Sequence, residues 1–167
     1  MAPLSVREIM DLLELKPLPL EGGYFHETYR STDCLAPGSL PARYLSAKQA
    51  GTAIYYLLTP DTFSAMHRLP TDEVFHHYLG GPVTMLQLGP EGGKVVKLGS
   101  DLRAGARPQV VAPRGVWQGS YLESGAFALL GTTMAPAFDP ADYEHGDRDR
   151  LIAEFPEWAD LIRRLTR

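Results

Sequence analysis

Residues 66–80 hold His67, Asp72, Glu73, His76 and His77, three of the chain's five histidines and an Asp-Glu pair within fifteen residues. Imidazole and carboxylate groups can ligate borderline metals, and they can move protons. Histidine suits the second task because its ordinary pKa lies close to neutral. On a strand, Glu73, Phe75 and His77 share one face, and Val74, His76 and Tyr78 share the other. Apolar residues stand on both faces, so alternation leaves open which histidine points inward. The plain alternative is a surface strand with paired polar residues. His67 precedes Glu73 by six residues across a Pro70-Thr71-Asp72 turn, a spacing that can bring both to one end of a barrel.

Three further groups of residues bear on chemistry. The segment Tyr24–Arg30 is rich in aromatic and β-branched residues and carries Glu27 and Arg30. Arg30 can grip phosphate through two nitrogens, and Tyr24 can stack on a ring. An ordinary strand with core-facing aromatics explains the same residues. Trp117 and Gln118 follow a Pro113-Arg114-Gly115 turn, and Trp117 fits either the core or a pocket floor. Asp139, Asp142, Glu144, His145 and Asp147 form an acidic stretch in which Asp147 can cap a following helix. Cys34 lies in a loop with no base beside it, which argues against a catalytic thiol.

The elements that position these groups are mostly strands. Ser5-Val6-Arg7-Glu8 is a capping box, followed by Val6, Ile9, Met10, Leu12 and Leu13 at helical spacing. This predicts a helix over 5–15, ended by Pro17 and Pro19. Strands are expected at Tyr24–Arg30, Thr52–Leu58, 63–69, 73–79, 84–88, 94–98, Gln109–Ala112, Trp117–Leu122 and 127–133. Turns such as Gly80-Gly81-Pro82 and Gly89-Pro90-Glu91-Gly92-Gly93 separate them. Residues 31–51 read as a long loop. The chain closes with short helices over 147–155 and 156–165, Pro156 suiting the first turn of the second. Regular short strands with this turn spacing predict an all-β sandwich or barrel.

Composition narrows the function class. A formal charge of −4, with no basic stripe, argues against nucleic acid as a partner. No segment approaches the ~20 apolar residues of a membrane span, and the start lacks a signal-type apolar core. One cysteine permits no internal disulfide, which fits a reducing compartment. The expectation is one cytoplasmic domain over 1–167, with barrel core at about 22–136 and helices at 5–15 and 147–165.

His67, Glu73 and Gly80, together with Pro113, Gly115 and Gln118, resemble the paired signatures of the cupin superfamily. The resemblance implies a double-stranded β-helix, or jelly-roll, barrel. Leu69 stands where a second histidine is usual, and Gln118 where the last one is. Of the usual metal ligands His67 and Glu73 remain, and the set the resemblance implies adds His76 or His77 as a third and the Gln118 amide oxygen as a weak fourth, holding Fe, Mn, Ni or Zn. The chain is closer still to an uncharacterised single-domain cupin family (cupin type five, a domain of unknown function). The marks are Glu21-Gly22-Gly23-Tyr24-Phe25-His26-Glu27-Thr28-Tyr29-Arg30-Ser31, Thr52-Ala53-Ile54-Tyr55, His67 with Asp72-Glu73, Tyr78-Leu79-Gly80, Gly115-Val116-Trp117-Gln118-Gly119 and Ala135-Pro136-Ala137-Phe138-Asp139. That family pairs into homodimers, and its pattern favours His76 over His77 as the pocket residue.

The Tyr24–Arg30 segment is also similar to one in dTDP-4-dehydrorhamnose 3,5-epimerase, which implies His67 as a metal-free base. The resulting expectation is a small polar, carbohydrate-like ligand in the barrel, and a sugar or nucleotide-sugar isomerase or epimerase. His67 would be the base and Tyr78 the phenol that returns the proton. Tyr24, Glu27, Arg30, Glu73, His76, Trp117 and Gln118 would bind the ligand. The alternatives are a sensing cupin without catalysis, and a metal-dependent cupin of dioxygenase or isomerase type.

Overall fold

Ser5 opens the first helix as its capping box requires. Its hydroxyl accepts the Glu8 N–H, and the Glu8 carboxylate accepts the Ser5 N–H at 2.8 Å. The computed structural model describes residues 4–167, so the first three residues of the expected domain lie outside it. Helix α1 (Val6–Leu12) is shorter than the expected 5–15. Glu14 turns left-handed at φ 54°, and the chain straightens into β1 (Lys16–Pro17), which pairs with the start of β2 (Tyr24–Arg30).

The next strands are β3 (Cys34–Leu35), β4 (Lys48–Gln49), β5 (Thr52–Leu58), β6 (Phe63–Arg68), β7 (Glu73–Gly80), β8 (Val83–Gly89) and β9 (Gly92–Leu98). They are followed by β10 (Gln109–Ala112), β11 (Trp117–Leu122), β12 (Ala128–Met134) and β13 (Glu144–His145). The fold is all-β and of jelly-roll type. Its two antiparallel sheets have the orders β1-β2-β5-β12-β7-β10 and β13-β6-β11-β8-β9. They stack as a sandwich and do not join into one hydrogen-bonded barrel. The segment read as loop over 31–51 contains the small β3–β4 ladder, whose two-residue strands are too short to show a period.

Between the sheets lies a core of Tyr56, Leu58, Phe75, Val83, Met85, Leu98, Leu122 and Leu130. The outer faces are covered from the chain ends. Helix α1 lays Ile9 on Leu57 and Leu129 of the six-stranded sheet. Helices α2 (Arg148–Glu154) and α3 (Ala159–Arg164) lay Leu151, Ile162 and Leu165 on Met66, Leu86, Leu88 and Trp117 of the other. Full burial of such side chains is worth roughly 1.5–3 kcal/mol each. Asp147 caps α2, accepting the Arg150 N–H at 2.8 Å. Among the described residues no helix is long and apolar enough to cross a membrane.

Candidate functional site

Strand β6 carries His67 into the space between the sheets, where it is 1% exposed. Opposite it in register is Gln118 of β11, and a bulge lies between Gln118 and Ser120. Gly119 makes that bulge possible, since a Cβ there would stand 2.7 Å from Met66 Sδ and 3.1 Å from the Ser64 carbonyl. The His67 Nδ1 lies 2.8 Å from the Ala65 carbonyl. A carbonyl only accepts, so Nδ1 carries the hydrogen, and in the neutral ring Nε2 presents a lone pair. Among the described residues no hydrogen bond engages Nε2. The carboxylates of Glu21 and Glu73 each stand 4.0 Å from it.

Both carboxylates are fixed from behind. Glu73 begins β7, and its Oε2 accepts the Gln118 amide N–H at 2.7 Å. The other end of that amide, Oε1, is buried without a partner. Glu21 accepts the Ser64 hydroxyl at 2.7 Å, and its carbonyl accepts the Ala65 N–H at 2.8 Å. The Gly22-Gly23 turn seats it there. Gly23 has φ 70°, and a Cβ on it would meet the Leu57 carbonyl at 2.8 Å. Burial, then repulsion from Glu21, raises the Glu73 pKa to about 7. Tyr143 stacks on His67 with ring centres 5.0 Å apart, and burial drives its phenol well above the ordinary range. Its hydroxyl is buried and unpartnered.

These groups end a narrow cavity of about 60 Å³ lined by Glu21, Phe25, Glu27, His67, Glu73 and Thr132, with Leu18, Ile54, Leu69, Met134 and Phe138 as apolar walls. At its rim Arg30 donates to both Glu27 oxygens at 2.8 and 2.6 Å, to Gln49 Oε1 at 2.8 Å and to the Phe138 carbonyl at 3.1 Å. Lys48, itself buried, holds Asp139 and Asp142 at 2.8 Å each and so pins the segment that brings Phe138 and Tyr143 to the cavity. A larger open cleft of about 420 Å³ lies between Gln87, Lys94, Pro113 and Val116. No buried ionisable groups converge on it, so the chemistry belongs to the smaller cavity.

The structure thus brings together His67, Glu73, Gln118 and Glu27, with Arg30 at the edge. Four expected site residues fall elsewhere. His76 points away from the cavity: Thr132 lines it, so Thr133 lies on the opposite face, and His76 Nε2 sits 3.0 Å from the Thr133 hydroxyl. Its other nitrogen meets the Gln109 amide at 3.3 Å. Tyr78 is on that same outer face, 48% exposed and edge-on to Tyr55. Tyr24 packs beneath α1, and Trp117 packs against the C-terminal helices with Arg68 over its ring. His77 fares no better as a pocket residue. It lies four residues beyond Glu73, about 13 Å along the strand, and its Nε2 meets the Gly81 carbonyl at 3.0 Å. Glu21 and Tyr143 are site residues that sequence reasoning missed. The Gly22-Gly23 pair was the available signal for Glu21, because a tight double-glycine turn holds its neighbour close to another strand.

The expected metal set does not assemble. Among the described residues no group of three His, Cys, Asp or Glu side chains is arranged to hold an ion. Ligands held at about 2.1 Å from one ion stand roughly 3.0–3.5 Å apart, whereas the carboxylates stand 4.0 Å from Nε2. Leu69 supplies no donor, and Gln118 turns its N–H toward Glu73.

A protein-family model described as "Cupin superfamily (DUF985)" matches residues 7–146. An uncharacterized protein of Saccharomyces cerevisiae, YML079W, is 31% identical over 133 residues, which cover 74% of this chain and 66% of the yeast protein's own length. The crystal structure of protein SO0799 from Shewanella oneidensis superposes with a TM-score of 0.88 at 31% identity, covering 99% of both chains. Bacillus subtilis oxalate decarboxylase, a protein with Mn(II) centres, has a TM-score of 0.52 at 15% identity over 92% of this chain and 38% of its own. That last likeness concerns the fold alone.

Proposed function

Because the chain belongs to the DUF985 family of the cupin superfamily, we propose that its cavity is an acid–base site acting on a small, polar, carbohydrate-like carbonyl compound. The observation that carries this reading is the unpartnered Nε2 of a buried histidine, oriented through Nδ1 and facing two carboxylates. His67 Nε2 takes a proton from the carbon next to the carbonyl. The C–H electron pair enters the new C–C double bond, and the carbonyl oxygen takes up the charge. Glu73, which holds its proton up to about pH 7, donates to that oxygen. His67 then returns the first proton to the former carbonyl carbon while the hydroxyl on the deprotonated carbon gives its proton to the Glu73 carboxylate and becomes the new carbonyl, which completes an isomerisation and restores both groups. One base on one face favours isomerisation over epimerisation, which needs a donor on the opposite face. The cavity admits only the reacting end of a sugar, so the rest of the ligand lies toward Glu27 and the rim.

Solvent deuterium incorporation into a panel of keto- and aldo-sugars, followed by NMR, tests this. The wild-type protein is expected to exchange the proton next to the carbonyl, and to continue after treatment with EDTA. Loss of exchange on metal removal, with stoichiometric Fe, Mn, Ni or Zn in the untreated protein, favours the metal-dependent alternative instead. Absence of exchange across the panel overturns the catalytic reading and favours a cupin that only binds.

A further inference from the structure

The cavity around His67 is lined by three glutamates and one histidine, and by no lysine or arginine. The cation at its rim is already engaged. Arg30 donates to both oxygens of Glu27, to Gln49 and to the Phe138 carbonyl, which leaves its guanidinium neutralised and its best donors spent. An incoming phosphate or carboxylate therefore meets carboxylates and no free counter-charge. This weighs against a nucleotide-sugar, whose phosphates Arg30 was expected to grip.

The hydrogen-bond inventory points the same way. The inner end of the cavity presents acceptors: the Nε2 lone pair of His67, the free oxygen of Glu21, and Oε2 of Glu73, each carboxylate 4.0 Å from Nε2. Gln118 adds a buried amide oxygen with no partner beside Glu73. A donor nitrogen at the usual distance of about 2.9 Å from two acceptors spans acceptors roughly 4–4.7 Å apart. The 4.0 Å between Nε2 and the free Glu21 oxygen lies at the short end of that range and leaves room for a ligand nitrogen beside Glu21. Phe25 and Phe138 supply aromatic walls, against which a cation is also favourable.

Resting on the acid–base reading above, we infer that the ligand is a small amino-bearing carbonyl compound, of the amino-sugar or amino-ketone class, bound as a cation. Its ammonium group pairs with the free oxygen of Glu21, and the next, hydroxyl-bearing carbon faces His67 Nε2, with Glu73 left to serve the carbonyl oxygen. The charge on the ligand offsets the negative charge that Glu21 and Glu27 bring to the cavity. Placing the ammonium beside the reacting carbon also makes that carbon's proton more acidic, which lightens the task of a neutral imidazole.

Three probes of similar size and different charge test this: ethanolamine, ethylene glycol and glycolate, measured by calorimetry and NMR shift perturbation in EDTA. Ethanolamine is expected to bind at least about tenfold more tightly than ethylene glycol, as for a charge-assisted hydrogen bond, and glycolate most weakly. Glu21→Gln is expected to shrink the preference for ethanolamine while the protein still melts cooperatively. Equal or tighter binding of ethylene glycol or glycolate by the wild-type protein overturns the inference. So does the failure of ethanolamine to bind or to shift His67 resonances. The wild-type charge series decides even if Glu21→Gln does not fold. Deuterium exchange into a neutral keto-sugar without an ammonium preference would sink this inference and leave the acid–base reading standing. The reverse result would do the opposite.

Discussion

The two faces of β7 carry the same kinds of residue into opposite circumstances. On the inner face Glu73 is buried, repelled by Glu21 and faced by an unpartnered imidazole. On the outer face His76 has both ring nitrogens engaged, by Thr133 and by Gln109, and lies parallel to the half-exposed Tyr78. The inner group has unsatisfied capacity in a low-dielectric space, where electrostatic effects are large. The outer group is satisfied and close to solvent, where they are small. Nearness in sequence to a group of the cavity is therefore no guide to lining it. The unit of chemistry is the face, and neighbours along a strand point to opposite faces.

The sharpest way to break this contrast is to remove each histidine in turn. His67→Gln is expected to lower the rate of deuterium exchange by about 10²–10⁴-fold, the usual contribution of a positioned base. His76→Gln is expected to leave it within about twofold, since it touches no group of the cavity. Comparable losses in both variants, with both folded, would erase the distinction between the faces.

The next effect is on stability. Folded Glu73 titrates at about 7 against 4.5 for the ordinary carboxyl. Its folded pKa is raised, so the folded state binds more protons between those values. Its contribution is fully present below about pH 4.5 and is lost as pH rises through about 7. The full difference is of order 3 kcal/mol at 1.36 kcal/mol per pKa unit. Urea unfolding at a series of pH values is expected to show this decline in the wild-type protein and a flatter profile in Glu73→Gln. Identical slopes in the two proteins would mean that Glu73 ionises normally and that the inner face is no more strained than the outer.

The smallest effect is expected at Tyr78. Tyr78→Phe removes a hydroxyl on the outer face and should change stability by less than about 0.5 kcal/mol, with exchange unaltered. A drop in exchange without loss of stability would restore Tyr78 as the phenol that returns the proton, and with it a site reaching across the sheet.

Much of the architecture is legible along the chain because it rests on local rules. The capping box at Ser5 and Glu8 starts α1 as its spacing requires. Thr52–Leu58, Gln109–Ala112 and Trp117–Leu122 form strands with the bounds their composition suggests. The short pairs β3, β4 and β13 escape notice because two residues show no period. Helix α1 stops early because Lys16 and Pro17 join a sheet edge that only the folded chain creates.

The site divides along the same line. Strand patterning and turn glycines, which are properties of neighbouring residues, determined an all-β sandwich or barrel, and the resemblance to the cupin signatures carried the jelly roll and the pairing of His67 with Glu73. Only the tertiary structure decided that Glu21 and Tyr143 complete the site, that Trp117 and His76 leave it, and that Arg30 is already spent on Glu27. Those outcomes depend on which sheet face a residue takes and which distant segment packs on it. Glu21 reaches His67 across forty-six positions of chain through one glycine turn and one serine hydroxyl, a contact no local pattern encodes.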